Sequence, residues 1–198
     1  VESTRYIMMQ NSINILQLCR NGSRVLGPGL RYVIWVQGCP FNCEQCETPE
    51  GHSFEPKLLV DIDKLANDII CRPEIEGITI SGGEPMEQAN QLYLLLNKIL
   101  DKRPELTVIS YTGYLLEQLI SEEHKKYLSK IDVLIDGKYV HEKNDNRGIR
   151  GSSNQHIHFL TDRLIEYKDE LSNGKRKLEI IFNGSKITTI GLTNKKNN

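Results

Sequence analysis

Cys39, Cys43 and Cys46 stand in the run Cys-Pro-Phe-Asn-Cys-Glu-Gln-Cys, directly after the apolar stretch Tyr32-Val33-Ile34-Trp35-Val36. A strand-like segment that empties into three close thiols restricts the chain to folds in which a strand end carries a metal-binding loop. Three thiolates can share one metal centre but cannot fill four tetrahedral positions. A 4Fe–4S cluster held by three cysteines leaves one iron open to a small molecule. Open coordination separates a catalytic metal site from a structural one. The spacing also suits zinc with His52 as fourth ligand, and both readings stay open at this point. A disulfide framework fits poorly, because five cysteines in 198 residues is an odd, low number.

The segment Gly77-Ile-Thr-Ile-Ser-Gly-Gly-Glu-Pro85 removes that ambiguity. Ile78 to Ile80 reads as a short β-branched strand that Ser81-Gly82-Gly83 ends. Pro85 stops further pairing, and a helical pattern runs from Glu87 to Leu100. Two glycines at the C-terminal end of a strand let backbone groups approach a ligand closely. Behind a three-cysteine loop, this pair of motifs resembles the radical S-adenosylmethionine superfamily. The resemblance implies that Cys39, Cys43 and Cys46 bind three irons while S-adenosylmethionine chelates the fourth. It also implies that Gly82, Gly83 and Glu84 hold the cofactor's methionine end.

Along the chain, strands alternate with helices. Strands are expected at Ile13–Leu18, Arg31–Gln37, Ile78–Ile80, Leu106–Tyr111, Ile131–Ile135 and Ile157–Leu160, and helices at Leu58–Cys71, Glu87–Leu100 and Tyr114–Ile120. Residues 137–154 read as a polar loop. This order implies an α/β fold with a parallel sheet and ligands at the C-terminal strand ends. The expected architecture is a partial (β/α) barrel of the radical S-adenosylmethionine type over residues 1–160. An extension over 161–198 packs on it, with a helix at Leu164–Leu171 and a β-hairpin of Lys177–Phe182 and Lys186–Ile190 turning at Asn183-Gly184.

Five segments narrow the resemblance: Gly27-Pro28-Gly29, Val36-Gln-Gly-Cys39, Ser110-Tyr-Thr-Gly-Tyr114, Ile131 to Tyr139, and Arg150 to Gln155. In this order they are similar to the activating enzymes of anaerobic ribonucleoside-triphosphate reductases, with pyruvate formate-lyase activators more distant. By that resemblance Thr112 and Asp136 lie near the ribose or a bound cation, Lys138 near the cofactor's carboxylate, and Asn154 and Gln155 in a family segment. Gln45 is also a cofactor-side position, where close activators carry a small residue. Glu47-Thr48 departs from a common aromatic–asparagine pair, and this loop borders the adenine and the substrate.

The implied reaction begins when a one-electron donor such as flavodoxin or ferredoxin reduces the cluster. The sulfonium is cleaved to methionine and a 5′-deoxyadenosyl radical, which abstracts hydrogen from a glycine of a partner glycyl-radical enzyme, of the anaerobic ribonucleotide reductase kind. The alternatives are a radical enzyme acting directly on a nucleotide or other small molecule, and a noncatalytic zinc or electron-transfer protein. Cys19 and Cys71 are too few and scattered for a second cluster and are expected as small buried side chains.

A net charge of −1 gives no reason to expect nucleic-acid or anionic-membrane partners. Lys175-Arg176-Lys177 and Lys195-Lys196 are expected to be solvated, and Thr193 to Asn198 to fray. Val1 to Gln10 lack the apolar core of a secretion signal, and no apolar stretch approaches the roughly 18 residues of a membrane span. The expected compartment is the cytoplasm, where cluster thiols stay reduced.

Overall fold

The computed structural model describes residues 11–183 and 186–194; the stretch Val1 to Gln10, Gly184 of the expected turn and the run Lys195-Lys196 lie outside the described residues. Strand β1 (Ser12–Ser23) pairs antiparallel with β2 (Arg31–Val36) on one side and with β3 (Leu58–Asp61) on the other. Helix α1 (Ile62–Ile70), β4 (Gly77–Gly82), α2 (Ala89–Lys102), β5 (Thr107–Tyr111), α3 (Glu122–Leu128) and β6 (Val133–Asp136) follow as strand–helix repeats. β7 (His156–Phe159) returns antiparallel to β6, and α4 (Lys168–Asn173) leads to the separate hairpin of β8 (Glu179–Asn183) and β9 (Lys186–Ile190).

The seven-stranded sheet runs β3-β1-β2-β4-β5-β6-β7. The expected parallel pairing holds for β2, β4, β5 and β6. It fails at both margins. There the connections, a glycine turn between β1 and β2 and the loop of residues 137–155 before β7, contain no long crossover helix and bring the chain back antiparallel.

Residue alternation along the strands builds two cores. Ile34, Ile78, Ile80, Val108 and Leu134 face the helices, which answer with Leu65 and Ile69 of α1 and Leu92, Leu96 and Ile99 of α2. On the other face, Ile109, Val133 and Ile135 pack against Leu164 and Leu171, and Val33 packs against Leu26 and Ile190. Leu164, Leu171 and Ile190, all beyond residue 160, thus share core with the sheet.

Three local expectations change. The helix expected from Leu58 begins only at Ile62, because Asp61 caps it by accepting the Lys64 N–H while the four residues before pair with β1. The helix expected at Tyr114–Ile120 is a single 3-10 turn at Leu116–Gln118. The charged segment Glu122–Leu128, capped by Ser121, supplies the helix instead and buries only Tyr127. Of the two spare cysteines, Cys19 is buried as expected, but Cys71 is exposed at the end of α1.

Arg31 lies at the opposite end of the parallel strands from the cysteine loop and is wholly buried. It donates to the Thr79 hydroxyl (2.7 Å), the Pro28 carbonyl, the Thr107 hydroxyl and carbonyl, and the Ile78 carbonyl. A Cβ at Gly77 would collide with this guanidinium.

Candidate active site

The cysteine loop is held at the tip of β2 by backbone and glutamine bonds. Gly38 N–H donates to Gly51 O (2.9 Å) and Cys39 N–H to His52 O (3.2 Å). The Gln37 side chain donates to the carbonyls of Glu50 and Ser53. The neighbouring glycine segment is laced to the same loop, with Gly83 N–H donating to Val36 O and Glu84 N–H to Gly38 O, both at 2.7 Å. Gln88 then bridges Asn14 and Gln37 by donating to both carbonyls. The two motifs are therefore one rigid unit.

The glycines are needed for that lacing. Gly82 sits at φ +101°, where side chains are strained. A Cβ on Gly83 would collide with the Gly38 carbonyl, next to Cys39. Here the close approach is of backbone to backbone, before any ligand is considered.

Together these loops wall a cavity of about 720 Å³ at the C-terminal ends of β2, β4 and β5, within the roughly 300–1,000 Å³ usual for small-molecule sites. Cys39, Cys43 and Cys46 line it beside Gly82, Gly83, Glu84 and Thr112. Among the described residues these sulfurs are not gathered within 4.8 Å of one another, whereas tetrahedral zinc with bonds of ~2.3 Å would draw them to about 3.8 Å. The donor set suits a cluster several ångströms across rather than a single ion. Burial pushes the Cys39 thiol up to about 11, against the Phe41 N–H and with the charges of Glu84 and the other two cysteines. Burial also raises Cys43, as does Cys46, while the Tyr139 N–H and the Lys138 ammonium oppose the rise.

Glu84 is buried and faces the next strand. Its carboxylate accepts the Thr112 hydroxyl (2.8 Å), the Met86 N–H (2.9 Å) and the Gly113 N–H (2.7 Å), so it fixes the loop after β5. Burial pushes its carboxyl from an ordinary 4.5 to about 7 against those three donors. The fold therefore prefers the neutral acid: its contribution to stability is full below pH 4.5 and is lost as pH rises through about 7. Urea unfolding should show stability falling across that window, with a flatter curve in Glu84→Gln; an unchanged slope in the variant would reject this environment for the carboxyl.

Gln45, Lys138, Asn154 and Asp136 fall outside the cavity wall, whereas His52 lines it. Gln45 is exposed at φ +52°, a backbone region in which a small residue such as glycine is at ease. Lys138 is exposed, with its ammonium 4.7 Å from the Phe41 ring centre. Asn154 donates to the Lys138 carbonyl (2.9 Å). Asp136 turns to the helix side of the sheet, where it accepts the Leu116 N–H (2.8 Å). Burial pushes its carboxyl up, but Leu116 and two histidines outweigh that and hold it below the carboxylate range. Gln155 does line the cavity and braces its loop by accepting from Gly151 and Ser152 and donating to Gly137 O.

Two contributors were not legible as site elements. Ile187, Thr188, Thr189 and Thr193 of the hairpin and tail line the cavity, and Thr193 donates to Glu47 of the cysteine loop through both N–H and hydroxyl. Arg176, expected in a solvated run, is half-buried and donates to the carbonyls of Arg150, Gly151 and Thr193, tying the 137–155 loop to the tail.

Residues 25–158 match a family model described as a 4Fe-4S single cluster domain. Relatives include the anaerobic ribonucleoside-triphosphate reductase-activating protein of Haemophilus influenzae, 35% identical over 140 residues, which span 67% of this chain and 89% of that protein. The protein of the same name from Vibrio cholerae is 34% identical, with 69% and 92% covered. That of Enterobacteria phage T4 is 32% identical, with 72% and 92% covered.

Proposed function

The chain belongs to the family of anaerobic ribonucleoside-triphosphate reductase-activating proteins, with their 4Fe-4S domain, and from that premise we propose that it activates a glycyl-radical enzyme by taking a hydrogen atom from a glycine of that partner. The carrying observation is that the three-cysteine loop and the Gly82-Gly83-Glu84 segment wall one cavity. When bound, the 4Fe–4S cluster and S-adenosylmethionine supply one-electron cleavage of the sulfonium and the hydrogen abstraction that follows.

The chain's own residues supply position and environment. Cys39, Cys43 and Cys46 would hold three irons, and the Lys138 charge favours the thiolate of Cys43. Gly83 N–H is already donated to Val36 O, so the segment's offer to a cationic amine is carbonyl oxygen. Glu84 holds Thr112 and Gly113 at the cavity wall, where they would face the bound cofactor. Asp136 and Asn154 hydrogen-bond within the loops around the cavity, and Gln45 stands exposed on the cysteine loop. We further infer that the parallel strands form a partial barrel of the radical S-adenosylmethionine type, with the described residues beyond 160 an extension packed on that core. A flavodoxin- or ferredoxin-like donor in the cytoplasm fits the reaction; among the described residues no helix is long and apolar enough to cross a membrane.

The test is anaerobic incubation of the cluster-loaded chain with S-adenosylmethionine, dithionite and a glycyl-radical reductase from the same source. The expected result is partner-dependent 5′-deoxyadenosine with a glycyl-radical resonance in the partner. Cofactor cleavage stimulated by a nucleotide alone, with no radical on the partner, would overturn the proposal.

A further inference from the structure

His156 and His158 are two residues apart on β7, so their side chains leave the sheet on one face, while Ile157 and Phe159 join the apolar core on the other. Across the ladder Asp136 is the direct partner of His156. The three residues meet on the face away from the cavity. His156 Nδ1 lies 3.1 Å from Asp136 Oδ1, and His158 Nε2 lies 3.0 Å from Oδ2. One ligand atom from each falls within 4.8 Å of the other two. A tetrahedral ion with bonds of ~2.0–2.1 Å sets its ligand atoms about 3.3 Å apart, so small side-chain rotations suffice to enclose one.

Ordinary hydrogen bonding accounts for only part of this cluster. His156 Nδ1 is within bonding geometry of the carboxylate. His158 Nε2 is not: it is shielded from solvent and has no hydrogen-bond partner among the described residues, despite the nearby oxygen. A shielded ring nitrogen 3.0 Å from a carboxylate oxygen, outside good hydrogen-bonding alignment, is placed to share a cation with it. The carboxylate is oriented from behind by the Leu116 N–H at 2.8 Å, as outer partners orient metal ligands.

We propose that Asp136, His156 and His158 form a second metal site that takes a divalent transition ion of the zinc type. Two imidazoles and one carboxylate suit such an ion, and three protein ligands leave room for water. The site would staple the edge strand β7 to β6. Asp136 and His156 also bracket the loop of residues 137–155, whose Gly137, Gly151 and Gln155 line the cavity. The ion would thus clamp the base of a loop that shapes the active site, without belonging to it. Nothing here depends on which partner the enzyme activates.

The experiment loads the full chain anaerobically with its iron–sulfur cluster, dialyses it against micromolar Zn²⁺ and counts zinc and iron per chain by mass spectrometry. The expected result is one retained zinc in addition to the iron, lost in His156→Gln and in His158→Gln with iron unchanged. His156 is 65% exposed at its side chain, so its replacement spares the fold. A full chain with Cys39, Cys43 and Cys46 all changed to serine should retain the same zinc, with nitrogen and oxygen but no sulfur in its X-ray absorption spectrum. Zinc retained equally by the histidine variants, sulfur ligation, or no retention in either background would overturn the proposal.

Discussion

Cys43→Ala is expected to reduce anaerobically assembled protein from about four irons per chain to almost none, and to abolish 5′-deoxyadenosine formation with it. Cys43 is the middle of three thiols on one loop and is half-buried beside Lys138 and the Tyr139 N–H. Alanine leaves two thiolates, which cannot hold the cube against loss to solvent. The loop itself should survive, because its anchors are the bonds of Gln37, Gly38 and Cys39 to residues 50–53 rather than the Cys43 side chain. Unchanged circular dichroism with lost iron would therefore isolate ligation from folding. Full iron content in the variant would refute the ligand assignment.

Arg31→Met is expected to lower the free energy of unfolding by about 3–5 kcal/mol, the scale for leaving several buried acceptors without their donors. Methionine fills similar space but leaves the carbonyls of Pro28, Ile78 and Thr107 and the Thr107 hydroxyl without the donors they now have. Burial pulls the guanidinium down to about 10, with Asp132, Tyr111 and Glu76 opposing, so it stays charged at neutral pH. Arg31→Lys should fall between the two, since a single ammonium cannot span the same acceptors. Urea denaturation reads the difference; a loss below about 1 kcal/mol for the methionine variant would show that these bonds have little net worth. The iron content of folded Arg31→Met should match the parent, because the residue lies at the far end of the sheet from the cysteines.

The chemistry of the site was legible because it is written in short spacings. Cysteines within eight residues and glycines at a strand end are local patterns, and the structure puts both on one cavity. Strand and helix order was similarly legible where apolar periodicity was strong, as in α2. It was less so in α3, whose single buried Tyr127 leaves almost no periodic signal, and at Leu58–Asp61, where pairing with β1 overrides a helical pattern. Arg176 shows the same limit: a basic run reads as solvated until a neighbouring loop offers carbonyls to it.

The amino-acid sequence alone determined the three-cysteine loop, the glycine segment beside it, the alternating strands and helices, and the closing hairpin, since each depends on residues close in the chain. Tertiary structure alone decided which way the side chains between them point. Glu84 reaches Thr112 and Gly113 because β5 lies next to β4. Asp136 turns to the helix side and meets His156 because β7 returns antiparallel. Thr193 reaches Glu47 across 146 positions of chain. Such directions are set by strand order and register, which are cooperative properties of the whole sheet and leave no mark in any short stretch of residues.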